Sequence, residues 1–140
     1  MEDQTMPVVS LLVPICNVER YLRECLDSAA AQTLRDIEII CINDGSTDGS
    51  LDIINEYVAR DGRFRAIDKP NSGYGDSMNQ GIEAARGTYI GILESDDFMF
   101  PDALEKLVAK AQQTNAQVVK GDFFLYWSTP VQRKELFGII

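Results

Sequence analysis

The chain has 140 residues, enough for one domain with a real core, and its composition is that of an ordinary soluble globular protein. Acidic side chains outnumber basic ones by 22 to 13, for a formal net charge of -9, which disfavours a nucleic-acid partner because a phosphate backbone needs a basic face. The sequence contains no histidine, so neither a histidine general base nor a histidine metal ligand is available within it.

Val8-Val-Ser-Leu-Leu-Val-Pro14 reads as a buried parallel strand. Pro14 is expected to end it, because proline cannot donate to a central ladder. Ile15-Cys-Asn17 is then a loop. From Val18 onward, Tyr21, Leu22, Cys25, Leu26 and Ala29 repeat with helical spacing, which predicts a helix to about Gln32. Ile37 to Ile42 is a second strand. Asn43-Asp-Gly-Ser-Thr-Asp-Gly-Ser50 follows it, a dense cluster of turn and cap residues. Leu51, Ile54, Tyr57 and Val58 mark the next helix. Phe64 to Ile67 is a short third strand, Lys69 to Gly75 a loop, and about Asp76 to Arg86 a third helix.

A fourth strand begins at Thr88, and its run Tyr89 to Leu93 has the apolar character of a strand buried on both faces. It stops at three carboxylates, Glu94, Asp96 and Asp97. Pro101 suits a first helical turn, and Asp102, Leu104, Leu107 and Val108 continue with helical spacing to about Thr114. Ala116 to Lys120 is expected to be a further strand, running into Phe123-Phe-Leu-Tyr-Trp127. Strands alternate with helices throughout, so the fold class is α/β: a mostly parallel sheet covered by helices on both faces, forming a single domain over residues 1–140.

The cysteines, Cys16, Cys25 and Cys41, are odd in number and form no C-x-x-C pair. Each has apolar sequence neighbours, as expected of reduced thiols in a cytoplasmic protein. The opening Met1-Glu-Asp-Gln has no basic character of a signal peptide, and no apolar run is long enough to span a bilayer.

In a parallel sheet all strands point the same way, so the loops that follow them gather at one edge. That edge would hold Pro14 to Asn17, Asn43 to Asp48, Glu94 to Asp97, and the glycine-bearing Asn71-Ser-Gly-Tyr-Gly-Asp76 that opens a helix. Glycines let backbone approach a ligand, helix N-termini receive phosphate, and clustered carboxylates suit a hard divalent cation. Each piece also has a plain reading. Asn17, Thr47, Asp48, Asp97 or Asp102 could each be only a helix cap, and the glycines only turns.

The set of motifs resembles the family 2 glycosyltransferases, inverting enzymes with the GT-A fold, a Rossmann-like nucleotide-sugar-binding architecture. The matching residues run from about Val8 to Leu107. They are Pro14-x-x-Asn17, Gln32-Thr33, Asn43-Asp-Gly-Ser-Thr-Asp48, Asn71-x-Gly73 with Asn79-x-Gly81, Ala85-x-Gly87-x-Tyr89-Ile90, and Glu94-x-Asp96-Asp97 before Pro101. The resemblance implies transfer of a sugar from a nucleotide-sugar donor, usually a UDP-sugar, to the hydroxyl of a glycan, lipid-linked or protein acceptor. It implies that Pro14, Cys16, Asn17 and Asp44 hold the base, with Asp44 accepting from uracil N3–H. The loop from Gly73 to Asp76 would close over the base and Ser95 would lie near the ribose. Asp96, with Glu94 as the first acid of the motif, would bind the Mn²⁺ or Mg²⁺ that bridges the diphosphate. Cys16 stands where the family often has an aromatic ring, and Glu94 where it often has the shorter aspartate.

The resemblance also implies that the general base lies downstream of these motifs. The chain is therefore expected to be the N-terminal, donor-binding portion of a longer enzyme, inactive alone and acting in the cytoplasm or at the inner face of the membrane. Asp97, Asp122 and Glu135 are the remaining carboxylates to consider as base. Apolar residues from Phe123 to Trp127 and Leu136 to Ile140 raise the expectation of self-association into a homo-oligomer. Two other readings compete, a nucleotidyltransferase and a non-catalytic nucleotide-binding module. The first would call for a glycine-rich loop with a basic residue directly after the first strand, where Pro14-Ile-Cys-Asn17 has neither.

Overall fold

A computed structural model describes residues 6–121, 123–127 and 133–137 of the chain, the last two stretches as backbone. Asp122 and the side chain of Glu135 therefore lie outside the described residues, as do Met1 to Thr5 and the side chains of the apolar tail. The chain divides into two compact units, 1–101 and 102–140.

The first unit is a four-stranded parallel sheet. Its strands are β1 (Val9–Ile15), β2 (Ile37–Asp44), β3 (Phe64–Lys69) and β4 (Tyr89–Ile92), in the order β3-β2-β1-β4. Helices α1 (Glu19–Ala30), α2 (Ser50–Arg60) and α3 (Tyr74–Ala84) connect them. Every residue of β1 and β2 is buried, as their mostly apolar runs predict, and the burial includes the polar Ser10, Glu38, Asn43 and Asp44. On one face, Met78 of α3 packs on Leu12, Ile40 and Ile42. On the other, Tyr57 of α2 lies 5.5 Å from Phe64, and its hydroxyl donates to Asp27 of α1 at 2.6 Å. The chain moves one way from β1 to β3 across one face and returns to β4 across the other, as right-handed crossovers require. The strand order therefore reverses between β1 and β4. The crevice at the carboxyl ends of those two strands is the place where open α/β sheets bind ligands.

The second unit contains α4 (Ala103–Thr114) and an antiparallel pair, β5 (Phe123–Trp127) and β6 (Arg133–Phe137). Among the described residues no helix is long and apolar enough to cross a membrane.

Five local expectations are corrected. Pro14 does not end β1, which continues to Ile15. Leu93 N–H donates to Leu12 O, so that parity of β1 faces β4, and β4 has ended before Pro14 is reached. The missing proline donor thus interrupts no ladder. β4 is not buried on both faces: Tyr89 and Gly91 are half-buried, and Ile90 and Ile92 are 47% and 55% exposed, because among the described residues β4 is an edge strand paired with β1 alone. Ala116 to Lys120 forms no strand. Pro101 lies before the first turn of α4, and Asp102, although at its N-cap, makes no side-chain cap bond and pairs with Lys106 at 2.8 Å instead. Cys16 is exposed, unlike the buried Cys25 and Cys41.

Candidate functional site

Four loops leave the carboxyl edge of the sheet, and hydrogen bonds chain them together. Asn17 follows β1 with a positive φ of 52°, a conformation asparagine tolerates better than most residues. It does not cap α1. Its Oδ1 accepts from Thr47 N at 2.7 Å and Asp48 N at 3.3 Å, and its own N–H donates to Ser46 Oγ at 3.1 Å. The loops after β1 and β2 are thereby locked to each other. Asp48, one residue before the Gly49 N-cap of α2, accepts from Ser50 N at 2.9 Å.

Asp44 is the last residue of β2 and only 6% exposed. Its Oδ1 accepts from the Lys69 ammonium and from Ser72 N at 2.7 Å, and its Oδ2 from Gly73 N at 3.1 Å. The Lys69 hydrogen bond, with these backbone donors, holds the Asp44 carboxyl below the usual carboxylate range. The lysine is a direct neighbour because the parallel register pairs Asp44 with Lys69.

The turn between Asp44 and Asn71 is close. Gly45 has φ +66°, and a Cβ there would meet Asn71 N at 2.6 Å. Asn71 Nδ2 donates to Asp44 O at 3.0 Å and lies 3.6 Å from Cys16 Sγ. Gly73, at φ +100°, turns the chain into α3, where its carbonyl receives Ser77 N at 3.1 Å. Asp76, on the first turn of α3, accepts from Ser72 Oγ at 2.5 Å and Gln80 Nε2 at 2.9 Å.

The acidic turn after β4 is held at both ends. Cys25 Sγ lies 3.6 Å from Glu94 O. Beyond the turn, Gln32 Nε2 donates to Phe100 O at 2.7 Å, Thr33 N to Pro101 O at 2.8 Å, and Met99 N to Ser28 Oγ at 3.1 Å. Between these anchors Glu94, Asp96 and Asp97 are exposed, while Ser95 is buried. Tyr74, at the start of α3, donates its hydroxyl to Glu94 Oε1 at 2.6 Å and so ties the third loop to the fourth. Desolvation, then the charges of Asp96 and Glu94, push the Asp97 carboxyl up. The donor set is all hard oxygen, which suits Mg²⁺ or Mn²⁺. Among the described residues no three potential ligands converge to hold a metal by themselves.

The structure thus gathers the loops carrying Pro14, Cys16, Asn17, Asp44, Gly73, Asp76, Glu94, Ser95 and Asp96 at one sheet edge. Pro14 itself is buried within β1. Two elements escaped the sequence reading. One is Lys69. The other lies at the opposite edge, where buried Glu38 accepts from Ser10 Oγ, Arg86 N at 2.7 Å and Arg65 at 2.7 Å, and Ser10 Oγ accepts from Gly87 N at 2.7 Å. That cluster fixes the turn that feeds β4.

Comparison with known proteins places the chain as a whole. Residues 10–135 match the family described as glycosyl transferase family 2. The chain is 44% identical over 119 residues to the uncharacterized glycosyltransferase EpsJ of Bacillus subtilis, covering 85% of this chain and 35% of that protein. It superposes on residues 1–349 of S. aureus TarS in complex with UDP-GlcNAc with a TM-score of 0.71 and 28% identity, over 76% of this chain and 32% of that one. The mannosyltransferase PcManGT of Pyrobaculum calidifontis, in complex with GDP-Man and Mn²⁺, shares the fold at a TM-score of 0.70 and 20% identity, over 77% and 33% of the two chains.

Proposed function

The chain belongs to glycosyl transferase family 2, and from that premise we propose that it binds the donor of an inverting sugar transfer, a nucleotide-sugar whose base is uracil. The observation that carries this reading is the Asp44 carboxylate. It is buried at the end of β2, held ionised by Lys69, and fixed by the N–H groups of Ser72 and Gly73. An ionised carboxylate can only accept, so it matches uracil N3–H and repels the lone pair at that position of cytosine. The UDP-GlcNAc bound by TarS supports uridine as the nucleoside.

Asn71 and Cys16 form the neighbouring wall for the base, and Tyr74 links that wall to the acidic turn. Glu94 and Asp96 would hold Mn²⁺ or Mg²⁺, with the diphosphate completing the ligand set. Such a cation, when bound, neutralises the diphosphate and stabilises it as a leaving group. Ser95, buried between the two acids, stands near the sugar end of the nucleoside. Transfer itself, to a glycan, lipid-linked or protein hydroxyl at the cytoplasmic side, is proposed for the whole protein. The chain spans about a third of the length of EpsJ.

Calorimetric titration of the chain with UDP, CDP and GDP, each with and without Mn²⁺, tests the reading. It predicts metal-dependent binding that favours UDP. Equal affinity for the three nucleotides would overturn it.

A further inference from the structure

Lys69 is buried, with its side chain only 6% exposed. An ammonium has three donors. One goes to Asp44 Oδ1 and one to Ser72 Oγ, and the third faces Pro70 O and Asp76 Oδ2, each at 3.4 Å. Lys69 therefore has no donor left for a ligand, and whatever it does for binding it does through its neighbours.

Its main effect falls on Asp44. A carboxylate offers about four lone-pair sites. Lys69 and Ser72 N occupy those of Oδ1, and Gly73 N occupies one of Oδ2. One acceptor site remains, on Oδ2. Lys69 also clips the 70–76 segment, since Ser72 Oγ bridges its ammonium to Asp76.

We propose that Lys69 is a positioning residue for base selection: by claiming Oδ1 of Asp44 and clipping Ser72 and Asp76, it leaves one fixed acceptor for the nucleobase. This inference rests on the reading of Asp44 as the group that meets the base. Uracil N3–H fits a single fixed acceptor. Cytosine has no donor at N3 but carries an amino group beside it. A carboxylate released from Lys69 can turn and expose a second oxygen, which can accept from that amino group. Discrimination then falls even where a nucleotide still binds.

The test is a double-mutant cycle read as the ratio of UDP to CDP affinity, by calorimetry in Mn²⁺, on wild type, Lys69→Met, Asp44→Ala and the double variant. Circular dichroism checks that each is folded. Lys69→Met is expected to lower the ratio by roughly fivefold or more, the scale of one misplaced buried hydrogen bond. In the Asp44→Ala background, the same substitution should leave the ratio unchanged. If Lys69→Met weakens both nucleotides equally, Lys69 is merely structural and the inference is overturned while the reading of Asp44 stands. A change of ratio that persists without Asp44 also overturns it. If Asp44→Ala alone leaves the wild-type ratio intact, the reading of Asp44 fails and takes this inference with it. Should Lys69→Met not fold, Lys69→Gln, which removes the charge and keeps two of the three donors, decides by the same ratios.

Discussion

Replacing Glu38 by glutamine changes one oxygen to an amide nitrogen and almost no volume. Glu38 is 4% exposed. Its Oε1 accepts from Arg65 and Arg86, and its Oε2 from Ser10 Oγ and Arg86 N. Whichever way the amide is turned, its NH₂ meets donors. Toward Oε1 it would face two guanidinium groups. Toward Oε2 it could donate to Ser10 Oγ but would leave Arg86 N–H without its acceptor. Breaking a buried charge pair costs about 3–5 kcal/mol. Here the Arg65 and Arg86 side chains are 38% and 61% exposed and can turn to water, so the loss is smaller. We expect about 2–3 kcal/mol, mostly from the stranded N–H and the lost charge-assisted bonds.

The pH dependence has a definite sign. Although burial opposes it, hydrogen bonds from Ser10, Arg86 N and Arg65 hold the Glu38 carboxyl below its ordinary value. Its contribution is therefore complete above the unfolded-state pKa of about 4.3 and is lost as pH falls through the lower folded value. Urea unfolding of wild type and Glu38→Gln at several pH values checks this. The gap should be constant above about pH 5.5 and shrink in acid. A gap under about 0.5 kcal/mol at pH 7, within the ordinary range of surface substitutions, would refute the reasoning. So would a gap that does not shrink in acid.

Two further outcomes follow from the site. Asp96→Asn should weaken UDP binding about tenfold or more in Mn²⁺, the scale of one charge-assisted contact, and leave metal-free binding and folding unchanged. Matched metal-dependent affinities in calorimetry would remove Asp96 from the ligand set. Native thiol titration should modify Cys16 alone, since Cys16 is exposed and burial pushes the Cys25 thiol up to about 12 and raises Cys41 too. UDP should slow that reaction, and unchanged labelling at saturating UDP would place Cys16 outside the site.

Much of the fold was legible because β1 and β2 are mostly apolar without alternation, and a sheet covered on both faces buries such runs. The loops were legible because their glycines, asparagines and acids each have a local physical use. Lys69 was not legible. It stands 25 residues after Asp44, and only the register of β2 against β3 makes them neighbours. The Glu38 cluster was hidden for the same reason, since Ser10, Glu38, Arg65 and Arg86 come from four separate segments. The expected strand at Ala116 failed because a short apolar run does not specify a partner. β4 looked fully buried because its run resembles β1, but burial depends on neighbours that a run cannot report. Asn17 follows β1 but does not make the cap its residue type suggested, because its Oδ1 is taken by Thr47 N and Asp48 N.

The central claim is that Asp44 reads the base from the carboxyl end of β2. The most direct measurement is the ratio of UDP to CDP affinity, by calorimetry in Mn²⁺, for wild type and Asp44→Ala. An unmatched buried polar group costs about 1–3 kcal/mol, so wild type should prefer UDP by roughly 5- to 150-fold. Asp44→Ala should bring the ratio close to one while the protein stays folded. A ratio that survives the loss of Asp44 would contradict the account.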